Sequence, residues 1–172
     1  MLIGIVSDNH RLIDPALAAV LAGVQEIWHA GDLVTFDILP VLKRWAPVVA
    51  VRGNNDLSPE LRDLPDEQVV TREGHRVLLR HIVGPPAHVD RSARQSIARV
   101  RPALVVMGHS HRPLAEASEG VVYLNPGSCG PRRFSLPRAA ARLELTSTSA
   151  RFAVVDLESR RPILEREFTL SP

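Results

Sequence analysis

Residues 2–10, Leu2-Ile3-Gly4-Ile5-Val6-Ser7-Asp8-Asn9-His10, begin as an unbroken apolar run and end on four polar side chains. A continuous aliphatic run of this length predicts a strand buried on both faces, the habit of strands in parallel sheets. The loops beyond the carboxyl ends of such strands are where open α/β sheets bind ligands. The pattern recurs twice. Residues 26–30 form a second short strand ending at Gly31-Asp32, and residues 47–51 a third ending at Gly53-Asn54-Asn55-Asp56. Between the first two, Asp14-Pro15 predicts a helix running to about Gly23, with Asp14 as cap and Pro15 in the first position. A weaker helix is expected over 37–45. Strands alternating with helices point to an α/β fold.

Working outward, residues 69–71 and 75–81 predict a hairpin about Glu73-Gly74, its second strand running into His81. A helix is expected over 90–100, capped by Asp90 or Ser92, and a strand over 103–107 delivers Gly108-His109-Ser110-His111. The stretches 114–117, 121–124, 138–145, 152–157 and 163–170 are short, alternating and free of helical period. They predict a second, mostly antiparallel sheet packed face to face on the first, with helices outside the first. Leu143, Leu145, Phe152, Val154 and Leu157 alternate as core positions would. No repeat, low-complexity tract or linker divides the chain, so residues 1–172 are expected to form a single domain.

The composition narrows the class. Of 172 residues, 45% are hydrophobic and 23% charged, ordinary for a water-soluble globule, while aromatics at 4% leave the core to aliphatic side chains. Cys129 is the one cysteine, which excludes an internal disulfide framework and fits a reducing, cytoplasmic setting. No apolar run approaches the ~18 residues that cross a bilayer, and the opening MLIGIV lacks the basic start of a secretion signal. The net charge is +2, and Lys43 is the one lysine among 21 basic residues. Those arginines never cluster into a basic block, so no dedicated nucleic-acid or membrane surface is expected.

The strand-end residues carry the chemistry. Asp8, His10, Asp32, Asn54, His81, His109 and His111 all offer oxygen or nitrogen, and none offers sulfur. Two carboxylates, one amide and four imidazoles are about the complement that two divalent ions need. Asp8-x-His10 and His109-x-His111 are pairs two residues apart, which on extended backbone share a face. Taken singly, each of these residues reads better as turn polarity or a helix cap; their number and order favour ligands. Asn125-Pro126-Gly127-Ser128 predicts a rigid turn whose N–H groups could meet a phosphate oxygen. No serine or cysteine shows a partner that would make it a nucleophile, so water is the expected attacker.

As an ordered set, Asp8-x-His10, Gly31-Asp32, Gly53-Asn54-x-Asp56, His81, Gly108-His109-Ser110-His111 and Asn125-Pro126-Gly127-Ser128 resemble the calcineurin-like metallophosphoesterases. The likeness is to their small single-domain branch, the YfcE-type phosphodiesterases, which also includes a subunit of the retromer coat, and it covers roughly residues 1–156. The resemblance implies an α/β, four-layer αββα sandwich of two mixed β-sheets with flanking helices, the metallo-dependent phosphatase fold. It implies that Asp8, His10 and His111 hold a first ion, that Asn54, His81 and His109 hold a second, and that Asp32 bridges both. The cofactors would be two divalent metal ions, Mn first, with Ni, Fe, Co or Zn as substitutes. About 3.5–4 Å apart, they would share a hydroxide that attacks a small phosphodiester in line. Asp32 and Asn54 would be the catalytic residues, with Asn55, Arg132 and Arg133 as substrate-binding candidates. The other function that the resemblance allows is a non-catalytic scaffold of the retromer-subunit type. The partners implied are a small phosphate ester and, in an oligomer, further copies of the chain.

Two departures from the family pattern stand out. Many larger members carry an Asp–His pair, the usual proton source for the leaving group, where this chain has Thr35 and Asn55. Esters with acidic leaving groups, such as aryl phosphodiesters, are therefore the expected best substrates. Ile82 follows His81 where the family usually has Gly; Ile resists positive φ, so the loop is expected to take another course and the second ion to be the less secure. Of the other histidines, His29 is expected as a packed or supporting group, and His75 and His88 as surface residues. Cys129 reads as a packed thiol.

Overall fold

The computed structural model describes residues 1–171. Two mixed sheets face one another. The first has six strands in the order β11-β10-β9-β1-β2-β3, where β1 is Leu2–Val6, β2 Glu26–His29, β3 Val48–Ala50, β9 Ala139–Leu145, β10 Ser149–Asp156 and β11 Pro162–Thr169. The second has five in the order β4-β5-β6-β8-β7, where β4 is Glu67–Arg72, β5 His75–Arg80, β6 Leu104–Val106, β7 Leu114–Ser118 and β8 Val121–Asn125. Strands β1, β2 and β3 are mutually parallel, as are β5, β6 and β8. Each set delivers its carboxyl ends to one rim, and the polar loops read from the sequence meet there.

Side chains of Ile3, Ile5, Trp28, Leu79, Val106 and Phe152 fill the space between the sheets. Helices α1 (Leu17–Val20) and α2 (Ile38–Leu42) cover the outer face of the six-stranded sheet, with Leu17, Leu21, Ile38 and Leu42 packed with Ile27 and Ala140. Helix α4 (Arg91–Val100) covers the other sheet, setting Ala93 and Val100 against Leu78, Val105 and Tyr123. The layers run αββα. β1 is apolar throughout because it is covered on both faces and paired on both edges, parallel to β2 and antiparallel to β9. No described helix is long and apolar enough to cross a membrane.

Several expectations need correction. The strands after residue 111 do not form a sheet of their own: β7 and β8 complete the second sheet, while β9, β10 and β11 cross to the first. The buried edge of β1 explains the crossing, because it needs a partner and finds one in β9. The first helix is shorter than residues 14–23. Asp14 Oδ1 does accept from Ala16 N at 2.7 Å, but the N–H groups of Leu17, Ala18 and Ala19 bond three residues back, so regular α geometry covers one turn. The second helix likewise closes at Leu42, after which Arg44 and Trp45 bond three residues back. A further one-turn helix, α3 (Pro59–Arg62), lies between β3 and β4. His75 is buried rather than exposed, with Nε2 lacking a hydrogen-bond partner. His88 is exposed, and Leu143, Leu145, Phe152, Val154 and Leu157 are buried.

Candidate metal centre

Five strand ends bring the seven donors together. Asp8 and His10 follow β1, Asp32 follows β2, Asn54 follows β3, His81 follows β5, and His109 and His111 follow β6. On one side, His10 Nε2 and His111 Nε2 face each other at 3.3 Å, with Asp8 Oδ1 3.8 Å and 3.2 Å from them. On the other, Asn54 Oδ1 is 3.2 Å from His81 Nε2 and 2.9 Å from His109 Nδ1. Asp32 Oδ2 lies between the two groups, 3.8 Å from His10 Nε2 and 3.5 Å from His81 Nε2. Two sets could each hold an ion with atoms mutually within 4.8 Å: Asp8, His10 and His111, and Asp8, Asp32 and His81. Asp8 is common to both sets, and Asp32 belongs to the second.

The chemistry of this donor set calls for cations. Asp8 Oδ1 is buried and has no hydrogen-bond partner, a costly arrangement unless a positive charge meets it. His81 donates Nδ1–H to Ala30 O at 2.6 Å, which turns Nε2 toward the carboxylate of Asp32 and the amide oxygen of Asn54. Acceptors pointed at acceptors leave space that only a proton or a metal ion can fill.

Local backbone explains how residues so close in sequence converge. Asp8 (φ +56°), His10 (+44°), Asp32 (+60°), His109 (+66°) and His111 (+58°) all adopt left-handed backbone, which costs non-glycine residues on the order of 1 kcal/mol each and gathers at functional sites. Hydrogen bonds hold them there. Asp56 accepts from Asp32 N and Gly53 N on Oδ2 and from Val34 N on Oδ1, at 3.0, 2.7 and 2.6 Å, tying the loops after β2 and β3 together. Asp8 Oδ2 accepts from Ser7 Oγ and His109 N, and Ser128 Oγ donates to Asp8 O. Gly108 has no alternative here, because a Cβ would collide with Ser7 Oγ and Asp8 Oδ2. Ile82 avoids positive φ; the left-handed turn comes two residues later at Gly84 (+88°), and Ile82 turns 39% of its surface outward.

Charge states follow from these neighbours. Burial pushes the Asp32 carboxyl up, but the hydrogen bond and charge of His81, with the N–H donors of Asn55, outweigh it and hold Asp32 well below the usual carboxylate range. Asp8 is likewise lowered against burial, chiefly by His111 and His81. Burial lowers His81 less than Asp32 and Asp8 raise it, so it ends above the ordinary histidine value. Behind the centre, burial holds His29 down at about 4; its Nδ1 accepts from Gly31 N and its Nε2 donates to Asn9 Oδ1 at 2.6 Å.

The remaining candidates divide. Arg133 Nη2 donates to His10 Nε2 at 3.2 Å. Arg132 turns instead to Glu158 at 2.6 Å and is not brought to the centre. Asn55 reaches it through Asp32, donating Nδ2–H to Oδ2 at 2.6 Å and its backbone N–H to Oδ1 at 2.8 Å. The turn at residues 125–128 is a brace, not an open phosphate cradle: it is buried, Gly127 N bonds Asn125 Oδ1, Cys129 N bonds Ser7 O, and Asn125 Nδ2 bonds Gly108 O. Cys129 is buried on Ser7 O, its thiol pushed up by burial to about 12. The supporting roles of Ser7 and Asn9 had no signal in the sequence beyond their place in a strand-end loop, whereas Asp56 was marked by the Gly53-Asn54-x-Asp56 motif but not by what it would accept from.

The family model for the calcineurin-like phosphoesterase superfamily domain matches residues 1–148. The chain belongs to this superfamily. A probable metallophosphoesterase of Methanothermobacter thermautotrophicus is 35% identical to it over 133 residues, covering 74% of this chain and 77% of that protein. Among solved structures, vacuolar protein sorting 29 of Cryptosporidium parvum has the same fold with a TM-score of 0.81 and 20% identity over 98% of this chain and 97% of that one. The phosphoesterase YfcE of E. coli has it with a TM-score of 0.69 and 23% identity over 96% and 98%. As a member of the calcineurin-like phosphoesterase superfamily, the chain carries its candidate metal-binding residues on the rim where both sheets end.

Proposed function

We propose that the chain is a metal-dependent phosphodiesterase acting on small phosphodiesters, with two divalent ions held at the rim. The observation that carries this is the gathering of seven nitrogen and oxygen donors from five strand ends at one rim, the buried Asp8 Oδ1 among them without a hydrogen-bond partner. Asp8, His10 and His111 would hold one ion, Asn54, His81 and His109 the other, and Asp32 both. The donors suit Mn, Fe, Co, Ni and Zn, with Mn first. When bound, such ions polarise a phosphoryl oxygen and make water a competent nucleophile near neutral pH.

The chain's own residues do the rest. Asp32, held ionised, keeps both oxygens fixed against Asn55. Asn54 turns its amide oxygen inward between His81 and His109. Arg133 stands beside His10 with a planar guanidinium suited to a phosphate's non-bridging oxygens. Asp56, Ser7 and Ser128 keep the strained loops from relaxing. The scaffold alternative draws on fold likeness to vacuolar protein sorting 29, and the complete donor set argues against it.

Metal-depleted protein assayed on bis-p-nitrophenyl phosphate tests this reading. Adding Mn²⁺ or Ni²⁺ restores turnover, and Asp32→Ala lowers it by more than the roughly 10–100-fold that outer metal-site partners cost. A native protein that stays inactive with every added metal overturns the phosphodiesterase and leaves the scaffold.

A further inference from the structure

The strand ends that supply Asn54 and His81 also open a groove of about 310 Å³. Arg52, two residues before Asn54, lines it from the loop after β3; Arg80 closes β5 and Ile82 follows His81 in the loop beyond, and both line it; Arg62 lines it from the end of α3. Leu57 and Ile82 give it an apolar wall and are 66% and 39% exposed. Exposed aliphatic side chains beside a polar centre suit the carbon skeleton of a ligand.

The three arginines differ in what they have free. Arg80 is fully engaged, with Nε on Ile82 O, Nη1 on Glu67 and Nη2 on Ser92. Arg52 holds the exposed Asp66, at 2.9 and 2.5 Å, a surface pair of the kind that contributes little and exchanges readily. Arg62 makes no ion pair or side-chain hydrogen bond among the described residues. The carboxylates in the groove are Asp66 and Asp56, and both Asp56 oxygens are turned onto backbone N–H groups. The balance favours an anion, and an arginine fork matches a phosphate better than a point charge does.

We propose that this groove is a subsite for a second phosphate carried on one arm of the phosphodiester. The proposal rests on the phosphodiesterase reading of the adjoining centre and adds a substrate class to it: diesters bearing a further phosphomonoester.

Two esters with the same leaving group test it: thymidine 5′-(p-nitrophenyl phosphate) and its 3′-phosphorylated counterpart, each with Mn²⁺-loaded protein. The expected kcat/KM is about tenfold higher for the 3′-phosphorylated ester, the return of one charge-assisted contact. Arg62→Ala and Arg52→Gln remove that ratio and leave the plain ester within about twofold of the native rate. Equal kcat/KM for the two esters in the native protein overturns the subsite while the phosphodiesterase stands. If neither ester turns over, the phosphodiesterase falls and calorimetry decides the subsite. Thymidine 3′,5′-bisphosphate binding about tenfold tighter than thymidine 5′-monophosphate, with the difference lost in Arg62→Ala, sustains it; equal Kd values overturn it.

Discussion

His29 is neutral in the folded protein down to pH about 4, against an ordinary value of 6.5, because burial disfavours its charge. Between those values the unfolded chain binds a proton that the folded chain refuses, so stability is full above pH about 6.5 and falls as pH drops toward 4. The slope reaches at most about 1.4 kcal/mol per pH unit from this group. Urea midpoints of metal-free protein across that window check it: His29→Gln flattens the decline, and an unchanged slope contradicts the assignment. A second expectation concerns the leaving group. Thr35 and Asn55 stand where a proton donor would, and Asn55 is occupied by Asp32. Log kcat against leaving-group pKa should therefore fall steeply across aryl phosphodiesters; a slope near zero would show that some other group protonates the departing oxygen. The seven donors stood out in the sequence through their number and order, since each taken singly reads as turn polarity or a helix cap. Which arginine arrives was not. Arg132 and Arg133 are neighbours, yet one meets Glu158 and the other His10, and one peptide's change of direction decides it. Nor does sequence order reveal Asp56 accepting from two loops or His75 buried in its hairpin.

Element by element, the strands were more legible than the helices. Apolar runs ending in Gly or Asp define β1, β2, β3 and β6 almost to the residue, and Glu73-Gly74, both at positive φ, set the turn joining β4 and β5. The same pair of residue types, Glu119-Gly120, turns β7 into β8. Helices α1 and α2 shrink because they lie against a sheet that needs only one apolar turn from each, and packing, not propensity, sets their length. The partner of β9 was illegible, since alternation reveals a strand's faces but not its neighbours. Helix α4 is the exception among the helices: Asp90 caps it, accepting from Ser92 N at 2.8 Å and Ala93 N at 3.3 Å. Asp90→Ala should lower the melting temperature by a few degrees and leave turnover of bis-p-nitrophenyl phosphate unchanged. A loss of turnover at full stability would mean that α4 communicates with the rim.

At the scale of the whole molecule, the unpartnered Asp8 Oδ1 and the left-handed backbone at five donors make the rim a place where stability is given up unless ions are present. Mn²⁺ at about 100 times its Kd should add about 2.7 kcal/mol to the unfolding free energy, read as a rise in melting temperature that a chelator reverses. An unchanged melting temperature would mean that the donors hold no ion. The crossing of β9 to β1 has a further effect. A chain leaving the ribosome exposes Asp8 first, whereas Ser128, which fixes the Asp8 carbonyl, follows 120 residues later. Until β9, β10 and β11 have been made, the acidic loops lie open and the six-stranded sheet lacks half its strands. Ion capture at the proposed centre is therefore expected late in biogenesis, and a fragment stopping short of β9 should neither fold nor scavenge metal.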